Sequence, residues 1–118
     1  MAICLILFTT EIFAQDLPDS YQPMFNEIVT FFKTIRTGNT ITQGKTSLSV
    51  FSDDKIALLV EHKGHKKNLT FITSTDEEGN PIWIAANDLT IDMVNKYEDY
   101  LTKTLKSMYD LAEKKSKE

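Results

Sequence analysis

Apolar positions change their spacing twice along this chain, and each change marks a change of element. Met24, Ile28, Phe31, Phe32 and Ile35 fall at i, i+4, i+7, i+8 and i+11, one face of a helix. Ser20 or Asp19 is placed to cap its start, Pro23 suits a first turn, and Gly38 closes it with Arg36 nearby. Residues 38–45 (Gly-Asn-Thr-Ile-Thr-Gln-Gly-Lys) read as a loop.

Alternation then takes over. Thr46–Phe51, Ile56–His62, Asn68–Thr75 and Pro81–Ala86 are strand-like, separated by short turn-forming segments. Links this short suit antiparallel neighbours, since a parallel crossover needs a dozen or more residues. Helical spacing returns with Ile91, Val94, Tyr97, Leu101, Leu105, Met108 and Ala112, after a cap at Asn87-Asp88. The expected fold is α+β: an N-terminal helix, a four-stranded antiparallel meander and a long C-terminal helix, with the helices packed on one sheet face.

Side chains point alternately to the two faces of a strand. One set is wholly apolar (Leu48, Val50, Ile56, Leu58, Val60, Leu69, Phe71, Ile82, Ile84) and is the expected core. The other holds Ser47, Ser49, Ala57, Leu59, Glu61, Thr70, Ile72, Ser74, Trp83 and Ala85. Leu59, Ile72 and Trp83 fall there on successive strands, giving an expected partner surface of Ala57, Leu59, Thr70, Ile72, Trp83 and Ala85. The competing reading is that the lead-in (Leu17, Tyr21) or part of a helix folds over this stripe.

Residues 3–14 form an apolar run ending Ile12-Phe13-Ala14 before Gln15, the pattern of a secretory signal cleaved near Ala14–Gln15. At ~20 apolar residues for a span, the run is too short to cross a bilayer. No Lys or Arg precedes it, a departure from the usual signal. The expected organisation is residues 1–14 as a signal and 15–118 as one α+β domain, secreted or periplasmic, with no membrane span after cleavage.

Composition narrows the function more than it names it. Thirteen Lys and Arg against seventeen Asp and Glu give a net charge of −4, which argues against nucleic acid. Cys4 is the one cysteine and would leave with the signal, so no thiol chemistry is expected. His62-Lys63-Gly64-His65-Lys66-Lys67 is the one local cluster of interest. His62, His65, Lys66 and Lys67 form a candidate anion or metal contact, weighed against a solvated hairpin tip. Two histidines fall short of a four-coordinate site, so no metal is assigned.

Asp53-Asp54 and Asp76-Glu77-Glu78 are acidic turns without EF-hand spacing. There is no nucleophile elbow, phosphate loop or zinc helix. No cofactor and no catalytic residue is expected, and no motif is specific enough to name a family. The reading is a small exported non-catalytic interaction domain of the bacterial periplasm or envelope, with an accessory, inhibitor or immunity-like role. It would meet another protein, or itself, through the second sheet face or through Thr46–Phe51 as an edge strand. The alternatives are a hydrophobic-ligand or lipid binder lined by Phe25, Phe31, Phe32, Leu58 and Phe71, and an enzyme of unknown class.

Overall fold

The computed structural model describes residues 17–36 and 38–118; the apolar run and the cleavage expected near Ala14–Gln15 lie outside them. Helix α1 spans Tyr21–Phe32. Its start is held by turn bonds from the Tyr21 and Gln22 amides to the Pro18 and Asp19 carbonyls, not by a side-chain cap from Ser20. Tyr21, Phe25, Ile28, Val29 and Phe32 are its buried stripe, while Met24, Phe31 and Ile35 pack at the margin. The buried face is therefore rotated from the one the spacing indicates.

Five antiparallel strands follow in sheet order β1-β2-β3-β4-β5: Thr40–Gln43, Thr46–Ser52, Lys55–His62, His65–Thr75 and Pro81–Ala85. The first falls inside the expected loop. It pairs along β2 with Ile41 opposite Leu48, and it buries Ile41. The segment Thr46–Phe51, expected at the edge, is consequently an interior strand between β1 and β3.

The expected single C-terminal helix is two: α2 at Asp88–Lys96 and α3 at Glu98–Ser116. They are broken at Tyr97, whose φ of −130° and ψ of 41° leave the helical region. The break frees α2 to lie against the sheet. Its Thr90 side chain is fully buried, and Thr90 Oγ1 accepts the Thr70 amide of β4 (3.0 Å) and donates to Asn87 Oδ1 (2.8 Å). Asn87 also accepts the Thr90 amide as N-cap. One hydroxyl thus closes a strand amide and a helix start together. Thr90→Val keeps the volume but leaves the Thr70 amide buried without a partner, and should cost about 1–3 kcal/mol in urea unfolding.

The helices share one sheet face. Leu48, Ile56, Leu58, Val60, Leu69, Phe71, Trp83 and Ala85 meet Phe25, Ile28, Met93, Val94, Leu101, Leu105 and Met108 in a single core. Burial of each large side chain is worth ~1.5–3 kcal/mol before entropy is charged. Among the described residues, no buried side-chain polar atom lacks a partner.

The last strand departs from the expected sorting. Phe71 pairs with Ala85, Ile72 with Ile84, Thr73 with Trp83 and Ser74 with Ile82. Trp83 and Ala85 therefore point inward beside Phe71, while Ile82 and Ile84 point outward beside Ile72 and Ser74. Trp83 and Ala85 are 2% and 7% exposed and so belong to the core, not to a partner surface. Both parities of Pro-Ile-Trp-Ile-Ala are apolar, so alternation alone does not choose between them.

Register decides, and the β4–β5 turn sets the register. Asp76 Oδ1 accepts the amides of Glu78 (2.9 Å) and Asn80 (2.8 Å), and Gly79 takes a φ of 87°. That closes the hairpin with Thr75 opposite Pro81.

Candidate functional site

The side of the sheet away from the core carries no helix among the described residues. Reading across the register, it presents Thr40 and Thr42, then Ser47 and Ser49, then Lys55, Ala57, Leu59 and Glu61. Lys66, Asn68, Thr70 and Ile72 follow on β4, and Ile82 and Ile84 on β5. Of the six residues expected to form a partner surface, Ala57, Leu59, Thr70 and Ile72 lie on this face and Trp83 and Ala85 lie behind it. Ile82 and Ile84 stand in their place.

The face divides into two halves. On β3, β4 and β5, Leu59, Ile72, Ile82 and Ile84 are half-buried branched side chains with no layer above them among the described residues. On β1 and β2 the hydroxyls satisfy one another, Thr40 with Ser49 at 2.8 Å and Thr42 with Ser47 at 3.1 Å. Paired hydroxyls ask less of water than free ones, so this half is the more readily desolvated.

Between the halves is a depression of about 320 Å³ with small Ala57 in its lining and Phe51 and Leu59 among its walls. Phe51 is 57% exposed, the largest apolar side chain so presented among the described residues, and Lys55 Nζ stands 5.5 Å from its ring. Phe51 shares the parity of Ser47 and Ser49, and the β2–β3 register shifts beside it, between Val50 and Ser52. Lys55 lies on this face opposite Ile72, and at the far end of β3 Glu61 is paired with Lys45 at 2.9 Å.

The histidine–lysine cluster does not converge. Lys63 (φ 53°) and Gly64 (φ 81°) form a two-residue hairpin turn that sets His62 opposite His65. Lys66 lies opposite Glu61 and Lys67 opposite Val60, so the two lysines project from opposite faces. His62 is engaged elsewhere: its ring lies 4.4 Å from Tyr97 and 4.6 Å from Tyr100, and Tyr100 donates to the Glu61 carbonyl at 3.1 Å. This aromatic stack ties the hairpin tip to the break between α2 and α3. Among the described residues no group of three or more His, Cys, Asp or Glu side chains is placed to hold a metal ion.

The space expected to hold a hydrophobic ligand is filled by rings. Phe25 stands 4.7 Å from Phe71, and Phe25, Leu58 and Phe71 are all at or below 2% exposure. Among the described residues no helix is long and apolar enough to cross a membrane.

One surface contact has a titratable consequence. Tyr109 donates to Glu27 across the α1–α3 groove, and this bond pushes the phenol up to about 12 from an ordinary 10.0. Because the folded value is the higher, the contribution to stability is complete below pH 10 and fades as pH rises through about 12. In an absorbance titration two of the four tyrosines should ionise late, Tyr109 through this bond and Tyr21 through burial, and Glu27→Gln should return Tyr109 alone toward the ordinary range.

No family model matches this chain, and no curated protein or solved structure is significantly similar to it.

Proposed function

We propose that the chain is a small exported, non-catalytic interaction domain of the bacterial periplasm or cell envelope that docks another protein on its uncovered sheet face. The observation that carries this is the cluster of Ile72, Ile84 and Ile82, with Ile72 directly opposite Ile84, which no other element covers among the described residues. Contiguous exposed apolar surface on folded proteins usually marks a contact. The partner that fits is a flat, mainly apolar element, with one side chain large enough to enter the depression beside Ala57. Export rests on the apolar run before Gln15, and the accessory or inhibitory role on the lack of converging reactive groups in the sequence.

The test is a paired substitution. Ile72→Asp with Ile84→Asp places two charges in the contact while both side chains remain free to reach water, so the fold should persist by circular dichroism. Affinity for a partner recovered from the native envelope should fall at least about tenfold, since a desolvated unpaired charge is costly. Unchanged binding by a folded double variant would remove the face from consideration.

A further inference from the structure

The two edges of the sheet are treated differently. At β5 the outward amide and carbonyl of Trp83 are taken by the side chain of Gln22: Gln22 Oε1 accepts the amide at 2.7 Å, and Gln22 Nε2 donates to the carbonyl at 2.8 Å. A helix side chain stands there in place of a sixth strand. At β1 nothing comparable is found among the described residues. The Val50 amide donates to the Asn39 carbonyl at 2.9 Å, which makes Asn39 and Val50 a hydrogen-bonded pair. By the alternation of an antiparallel ladder, Ile41 and Gln43 then turn their backbone groups to β2, and Thr40 and Thr42 turn theirs outward.

The sequence around that free edge is a chemical palindrome. Residues 38–44 read Gly-Asn-Thr-Ile-Thr-Gln-Gly, uncharged throughout and symmetric about Ile41. Laid antiparallel against its own copy with Ile41 opposite Ile41, glycine meets glycine, carboxamide meets carboxamide and threonine meets threonine. In that register Thr40 of one chain and Thr42 of the other form the hydrogen-bonded pairs, so all four outward groups of each strand find partners at once. Cross-strand threonine pairs are themselves favourable. No lysine or proline interrupts the strand, the usual means by which an exposed edge is kept from pairing.

We propose that this chain forms a two-fold symmetric dimer by antiparallel pairing of β1 with β1 of a second copy, joining two five-stranded sheets into one of ten. The dimer is closed, because Gln22 blocks the β5 edge and leaves no second site for growth. It also makes the two uncovered faces continuous, with the Thr40 and Thr42 hydroxyls at the seam. This surface is separate from the Ile72 and Ile84 face, so either reading can fail without the other.

Thr42→Pro isolates the claim. The Thr42 amide is unused within the chain's own ladder, and proline is tolerated at such an outward position while abolishing pairing across it. Sedimentation of the purified full chain should give twice the chain mass. The variant should sediment as a monomer with the same far-ultraviolet spectrum, its self-association weakened on the order of a hundredfold. Exchange of the Thr40 and Thr42 amides should slow as protein concentration rises, a readout that holds even if the variant fails to fold.

A chain monomeric up to about 1 mM, or a variant that dimerises like the parent, overturns the proposal. So do Thr40 and Thr42 amides whose exchange ignores concentration. Protection of those amides only by added foreign protein would reassign the edge to another protein's strand.

Discussion

Trp83→Ala should lower stability by about 3–5 kcal/mol, read as a shift of the urea midpoint at unchanged slope. The indole is 2% exposed, lies 5.3 Å from the Phe25 ring, and donates through Nε1 to Asn26 Oδ1 at 2.9 Å. Truncation empties a large site walled by a helix and a sheet that cannot both collapse into it. It also removes the indole bond to Asn26, whose exposed carboxamide then turns to water. Since small domains are stable by only about 5–15 kcal/mol, the variant stands near the edge of folding. Trp83→Phe keeps most of the ring and loses the Asn26 bond, so its cost should be well below that of alanine. Neither result bears on the partner face, because Trp83 points away from it.

Phe25→Ala should cost a similar amount, about 3–5 kcal/mol, and should not add to Trp83→Ala. Phe25 is wholly buried, with Tyr21 at 5.9 Å, Phe71 at 4.7 Å and Trp83 at 5.3 Å between ring centroids. It links α1 to β4 and β5 at once. Removing either member of the Phe25–Trp83 pair forfeits their mutual contact, so the double variant should fall short of the sum by about 0.5–1.5 kcal/mol. Full additivity would mean that the two rings do not touch.

Much of this architecture is legible in the residues, and the misreadings have definite physical causes. The α+β order, the antiparallel pairing and the core parity of β2, β3 and β4 follow from alternation, because only one parity of each strand is continuously apolar. On β5 both parities are apolar, and the choice passes to a register set by Asp76 and Gly79, which alternation does not see. The β1 strand was hidden by its polarity: three of its four residues are Thr or Gln, and it earns its place through one buried isoleucine and a ladder to β2. The helix break at Tyr97 has no proline or glycine to announce it. Its cause is tertiary, the stacking of Tyr97 and Tyr100 on His62 and the reach of Thr90 to the sheet.

The candidate site was half visible for the same reason. Leu59 and Ile72 stand out as large apolar residues on a parity otherwise filled with Ser, Thr and Glu. Sorting by parity puts Ile82 and Ile84 with the wholly apolar set, and nothing in the alternation of β5 itself opposes that. A signal was present in α1: Gln22 and Asn26, four apart on one helix face, are acceptors waiting for a donor, and a buried indole needs one. The edge block by Gln22 rests on the same pair and becomes apparent only once the helix is set beside β5.

The whole functional reading depends on which way β5 turns its side chains, and a single fluorophore reports that directly. Trp83 is the only tryptophan in the chain. With the indole in the core, the folded protein should emit at short wavelength, resist acrylamide quenching and keep its spectrum when a partner covers the open face. Long-wavelength emission, readily quenched and altered by partner binding, would put Trp83 on the outside and contradict the account.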